Sequence, residues 1–137
     1  MMKRANVIRS YLAGLVKADL TELLKLFSDD ATVSSPLYGE MAATDFFKQL
    51  FEDTSESKID LKGIFVQVSD PNTYAAHFTY DWKLKTGEAV SFRCMDIFTF
   101  ANHSDKIRHL TIIDDSSRTR DAFIKLSEAQ DFLVKNS

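Results

Sequence analysis

The sequence predicts an α+β protein in which three N-terminal helices precede a curved antiparallel sheet, with one more helix at the C-terminus. Two observations lead to this class. Before about residue 53, apolar residues recur every three or four positions, as on one face of a helix. From about residue 59 they alternate with polar residues, which is typical of strands with one buried face. Helices grouped before strands favour packing of the helices across one face of the sheet.

The three helices are predicted from their apolar spacing and their start signals. The first covers residues 3–16. The second begins after Asp19, which can cap it, with Glu22 three places later as in a capping box. A turn and a short strand over residues 29–36 separate it from the third helix, which covers residues 39–53.

Four strands and a closing helix make up the rest of the chain. The strands cover residues 59–68, 73–85, 88–101 and 106–114. Short turns rich in Gly, Pro, Asn and Asp join them, and such connections favour antiparallel hairpins. The pattern then predicts an amphipathic helix over residues 117–137.

Composition and net charge argue against some classes of binding partner. The 137 residues suit one compact domain, and a net charge of −3 without a basic stripe argues against nucleic acid. A single cysteine is consistent with a reducing compartment. The chain offers no apolar run of the ~20 residues that span a bilayer, so we expect a soluble, cytoplasmic protein with no membrane contact.

One predicted strand carries a carboxylate among apolar residues. In the string FRCMDIFTF (residues 92–100), Asp96 shares one face with a cysteine and three phenylalanines, because alternate residues of a strand point the same way. Four of these five side chains favour burial and an ionised carboxylate does not. Asp96 is therefore either a functional group or a structural carboxyl satisfied by hydrogen bonds.

Three strings carry a family resemblance by their order and spacing. They are YLAGLVKADLTELLKLFSDDATVSSPLYG, GEMAATDFFKQLF and CMDIFTF…DKIRHLTIIDD. The chain resembles the nuclear-transport-factor-2-like superfamily, and within it the branch of SnoaL-like polyketide cyclases and ketosteroid isomerases. The resemblance implies a cone-shaped fold, with the helices on the concave face of the sheet around a deep pocket. It also implies one domain over residues 1–137, in which residues 117–137 extend the usual core.

The resemblance further implies three catalytic residues. Ketosteroid isomerases use a Tyr on the first helix and a protonated Asp on the third strand of the meander to donate hydrogen bonds to a substrate oxyanion. These correspond to Tyr11 and Asp96. The usual base, an Asp before a proline, is replaced by Ser35, which has no useful basicity. SnoaL-like cyclases place a catalytic Asp near the end of the last strand, so Asp114 is the expected base, unless it only ends the strand and caps the last helix.

Six further residues are expected to line the pocket and bind substrate. They are Ser35, Phe47, Trp82, Phe98, Leu110 and Ile112. Ordinary core packing is the alternative for the apolar members. The three histidines show no ligand spacing, so neither a metal nor an organic cofactor is expected.

Three functions stay open at this point. The chain could be a cofactor-free isomerase or cyclase acting on a small apolar carbonyl or enolisable molecule. The serine at position 35 instead favours a module that binds a hydrophobic ligand without turnover. The third is a dimerising interaction domain. Arg93, Met95, Ile97 and Thr99 form an outer sheet face that needs a cover, which the resemblance assigns to a homodimer and which the final helix could also supply.

Overall fold

The computed structural model of the chain describes residues 2–115, together with Ile124 and Glu128. Three helices are described in residues 2–115: α1 (Met2–Lys17), α2 (Leu20–Leu24) and α3 (Ala43–Asp53). The side chain of Asp19 accepts a hydrogen bond from the backbone N–H of Glu22, so the predicted cap of α2 is confirmed. The predicted helix over residues 117–137 lies outside the described residues except for Ile124 and Glu128, which are helical.

The described part of the chain contains one sheet of six strands. They are β1 (Phe27–Ser35), β2 (Gly39–Ala42), β3 (Thr54–Gln67), β4 (Asp70–Leu84), β5 (Ala89–Phe100) and β6 (Ile107–Asp114). Their order is β2-β1-β6-β5-β4-β3, and the sheet is curved and does not close. Helices α1 and α3 pack on it, and α2 contacts both of them. The predicted α+β class and the cone-shaped fold are confirmed.

Three details differ from the sequence prediction. Residues 39–42 form a strand rather than the first turn of α3, because they pair with the end of β1 across a tight turn. Strand β3 begins at Thr54 rather than at residue 59, since its polar first residues pair with the far end of β4. Strand β1 pairs with β6 in parallel, although every other neighbouring pair is antiparallel. The short β1 and β2 segments have little apolar alternation, so their pairing depends on tertiary contacts.

An aromatic cluster joins α1 to the sheet. The ring of Tyr11 meets Phe27, Phe47 and Phe98 edge-on, with centroid distances of 6.1, 6.0 and 5.1 Å. All four side chains are buried. This packing holds the Tyr11 hydroxyl over the middle of β5, where Asp96 lies.

Candidate functional site

A cavity of about 60 Å³ lies between the helices and the inner face of the sheet, and we call it the Asp96 cavity. Helices α1 and α3 supply Tyr11, Leu15, Phe46 and Leu50, while β4, β5 and β6 supply most of the other walls. The turn of residues 35–38 completes it. Pro36 in that turn is exposed, so the turn lies where the cavity approaches the surface.

Asp96 is a buried residue of the cavity wall and accepts two hydrogen bonds. The Tyr11 hydroxyl donates to Oδ2 at 3.0 Å, and the Cys94 thiol donates to Oδ1 at 3.0 Å. Only 1% of Asp96 is exposed. The two predicted donor residues are therefore in direct contact. The sequence indicated Cys94 only as a small buried residue, and its thiol proves to be a partner of the carboxyl.

Burial controls the protonation of these groups. It raises the pKa of the Asp96 carboxyl to about 7, although the hydrogen bonds from Cys94 and Tyr11 oppose the rise and the neighbouring Asp114 adds to it. Burial, and then the charge of Asp96, raise the pKa of the Tyr11 hydroxyl well above its ordinary value. Burial likewise raises the pKa of the Cys94 thiol. Tyr11 and Cys94 thus keep their protons while Asp96 exchanges its own near neutral pH.

Asp114 and Ser35 lie on the wall of the same cavity. Asp114 is half-buried and is the cross-strand partner of Cys94, which places both on the inner face of the sheet beside Asp96. Ser35 ends β1, and its Oγ accepts a hydrogen bond from the backbone N–H of Tyr38 at 3.0 Å. The Ser35 hydroxyl therefore closes the turn that carries Tyr38.

Comparison with known proteins assigns the family. Residues 8–110 match the model of the SnoaL-like domain. The chain belongs to the SnoaL-like family. The match includes Tyr11, Ser35 and Asp96 but ends before Asp114. No curated protein sequence matches the chain.

Solved structures similar to this SnoaL-like chain show the same fold at low sequence identity. PrhC from Penicillium brasilianum is 12% identical, with a TM-score of 0.77 over 94% of this chain and 91% of that one. An NTF2-like protein from Burkholderia pseudomallei is 13% identical, with a TM-score of 0.73 over 87% and 95%. A protein with a ketosteroid-isomerase-like fold from Catenulispora acidiphila, in complex with trimethylamine, is 10% identical, with a TM-score of 0.67 over 78% and 83%.

The nine site residues predicted from the sequence fall into two groups in the structure, those that line the Asp96 cavity and those that do not. Six line the Asp96 cavity: Tyr11, Ser35, Trp82, Asp96, Ile112 and Asp114. Phe47, Phe98 and Leu110 do not line it and are fully buried in the core. Phe98 and Leu110 have the inward parity of wall residues, but they lie opposite each other in the β5–β6 pair, where the Tyr11 ring packs against Phe98.

A second buried carboxyl beside the cavity was missed at the level of sequence. Asp53 ends α3 and is 2% exposed. The Tyr38 hydroxyl donates to its Oδ2 at 2.6 Å, and the Gln49 amide donates to its Oδ1 at 3.2 Å. An acidic residue in the last turn opposes the helix dipole, which is a signal that could have drawn attention to Asp53. These bonds hold the turn of residues 35–38 against α3.

The outer face of the sheet presents apolar side chains. Ile113 is 51% exposed and Phe65 is 54% exposed, while Met95 and Ile97 between them are half-buried. Cross-strand pairing places Phe65, Ala75 and Ile97 in one row on this face. Among the described helices, none has the length and apolar character needed to cross a bilayer.

Proposed function

We propose that this SnoaL-like protein binds a small apolar carbonyl or enolisable molecule in the Asp96 cavity. The observation that carries the proposal is the contact between the Tyr11 hydroxyl and a buried carboxyl whose pKa lies near 7. A protonated Asp96 and a protonated Tyr11 can both donate to one ligand oxygen once Tyr11 turns from Asp96 toward it. Two such donors in an apolar site stabilise an oxyanion.

The same arrangement supports a cofactor-free isomerisation or cyclisation. The Asp114 carboxylate would take a proton from the carbon beside the carbonyl, and the electron pair would move to the carbonyl oxygen. Tyr11 and Asp96 would donate to that enolate oxygen, and Asp114 would return the proton to a different carbon. Asp114 lies on the cavity wall and can serve as this base.

Binding of phenols tests the oxyanion site. At pH 6, where Asp96 is mostly protonated, we expect phenols of increasing acidity to bind more tightly, reported by fluorescence of Trp82, the single tryptophan, which lines the cavity. Tyr11→Phe should weaken binding about tenfold, since it removes a hydrogen bond to a charged oxygen. Asp96→Asn should weaken binding by a smaller factor, since an amide N–H replaces the more acidic carboxyl O–H as the donor.

Matched variants control for unspecific effects. Asp29→Asn changes an exposed carboxyl, and Tyr74→Phe changes a buried tyrosine that does not line the cavity. Both should bind phenols as the wild type does. Equal binding by the wild type, Asp96→Asn and Tyr11→Phe would show that Asp96 is a structural carboxyl.

A binding module without turnover is the second candidate. It is favoured by Ser35, which occupies the usual base position and whose oxygen is engaged with the Tyr38 N–H. Phenol binding accompanied by no exchange of ketone α-protons into D₂O would select this candidate. Exchange that Asp114→Asn abolishes would select the enzyme.

We also propose a homodimer through the outer face of the sheet. Ile113→Glu places a charge on the apolar outer face of the sheet and should shift the protein from dimer to monomer, because a buried unpaired carboxylate disrupts an apolar interface. Sedimentation velocity at several protein concentrations measures this shift. Val16→Glu makes the same change at an exposed position of α1 and should leave the dimer intact. A monomeric wild type at every concentration would contradict the proposal and favour the C-terminal segment as the cover.

A further inference from the structure

We propose that the Asp96 cavity takes a compact organic cation, such as a quaternary ammonium group, as its ligand or as part of its substrate. The inference rests on the binding site proposed above and adds the charge class of the ligand. It comes from the aromatic character of the walls, the charge of the lining residues and the direction of their hydrogen bonds.

Aromatic side chains are the most numerous class among the described residues of the cavity wall. They are Tyr11, Tyr38, Phe46, Phe78, Tyr80, Trp82 and Phe92. The Tyr80 and Phe92 rings are stacked, with centroids 5.4 Å apart, and the Tyr38 and Phe46 rings meet edge-on at 5.6 Å. Electron-rich ring faces attract cations and are the usual lining of sites for methylated ammonium groups. An aliphatic lining would serve a neutral apolar ligand equally well.

The charged groups of the wall have one sign. Asp96 and Asp114 are the acidic members, and none of the described lining residues is Lys, Arg or His. In a site of low dielectric constant, a carboxylate repels an anionic ligand and attracts a cation more strongly than in water. The wall therefore offers a cation aromatic rings and a counter-charge, whereas an anion would bind only against a protonated Asp96.

Three hydroxyl and thiol protons around the cavity are directed at protein carboxyl groups. Tyr11 and Cys94 donate to Asp96, and Tyr38 donates to Asp53. The Tyr80 hydroxyl shares a 2.7 Å hydrogen bond with Ser57. The Tyr11, Cys94 and Tyr38 protons are therefore engaged with carboxyl groups in this arrangement. A cation makes use of acceptors and needs no donor from the wall.

The size of the cavity suits a compact group. A volume of about 60 Å³ corresponds to roughly four water positions. Tetramethylammonium, with a nitrogen and four methyl groups, is close to this size. A large ring system would require the turn of residues 35–38 to move away from Asp53.

Two probes of similar size and different charge test the inference. Tetramethylammonium and the neutral tert-butanol are titrated into the wild type at pH 8 and constant ionic strength, and the NMR signal of the Trp82 indole N–H is followed. We expect the cation to bind about tenfold more tightly than tert-butanol, with no binding of acetate. Equal affinity for the two probes, or no binding of either, would overturn the inference.

Variants separate the two sources of cation affinity. Asp96→Asn should bring the two affinities close together, and Asp29→Asn should preserve the difference. Phe92→Leu keeps the carboxyl and removes one ring, so it should weaken binding of the cation more than binding of tert-butanol. It serves as the second variant if Asp96→Asn folds poorly. A cation preference unchanged in both cavity variants would also overturn the inference. Phenol binding without cation binding would reject this inference and retain the proposed function.

Discussion

Phe98→Ala is expected to lower the free energy of unfolding by about 3–5 kcal/mol, the cost of removing a phenyl ring from a closed core. Phe98 is fully buried on β5, its ring lies 5.1 Å from that of Tyr11, and its cross-strand partner is the equally buried Leu110. Because α1 covers this position, the surrounding residues have little freedom to fill the space. Urea-induced unfolding followed by circular dichroism measures the change.

Phe92→Ala is the matched comparison on the same strand and the same face. Phe92 is half-buried and lines the Asp96 cavity, so its ring already borders open space. Phe92→Ala should therefore lower the free energy of unfolding by only about 1–2 kcal/mol, mostly because the contact with the Tyr80 ring is lost. Equal costs at the two positions would mean that Phe98 is also a wall residue, as the sequence had indicated.

Asp96→Asn is expected to remove most of the dependence of stability on pH between about 4 and 7. The ordinary pKa of the carboxyl is 3.8, and burial raises it to about 7 in the folded protein. Between these values the folded state holds a proton that the unfolded state has released, so the unfolding free energy falls as pH rises. Above about pH 7 the carboxylate is ionised in both states, and its full burial penalty is present.

The expected loss in the wild type is on the order of 4 kcal/mol across this range, at about 1.4 kcal/mol for each pH unit of difference. Unfolding by urea at a series of pH values measures it, and the curve of Asp96→Asn should be nearly flat by comparison. Asp29→Asn, which alters an exposed carboxyl, should follow the wild-type curve. Parallel curves for the wild type and Asp96→Asn would contradict the raised pKa.

The long periodic segments could be predicted from the sequence because their side chains alternate in a simple way. Strands β4 and β5 begin and end within three residues of the predicted positions, and α1 within one. Strand β2 and the start of β3 could not be predicted, since their residues are mostly polar and pair only because β1 and β4 lie beside them. A prediction from local pattern has no access to such partners.

The residues of the candidate site also fall into those that the sequence could predict and those that it could not. The family resemblance placed Asp96, Ile112 and Asp114 in one pocket, and the structure has all three lining one cavity. Parity could not separate Phe98 and Leu110, which are fully buried in the core, from Phe92, which lines the cavity. The contact of Tyr38 with Asp53 joins a turn to the end of a helix and depends on how the two elements pack.

The sequence by itself determined the α+β class, the family and the presence of one carboxyl in an apolar strand, because each follows from residue type and spacing along a single segment. Only the tertiary structure decided what that carboxyl contacts and which aromatic rings surround a cavity rather than fill the core. The physical reason is that burial, hydrogen bonding and pKa depend on side chains from α1, the turn of residues 35–38 and three strands at once. Their relative positions follow from packing of the whole chain.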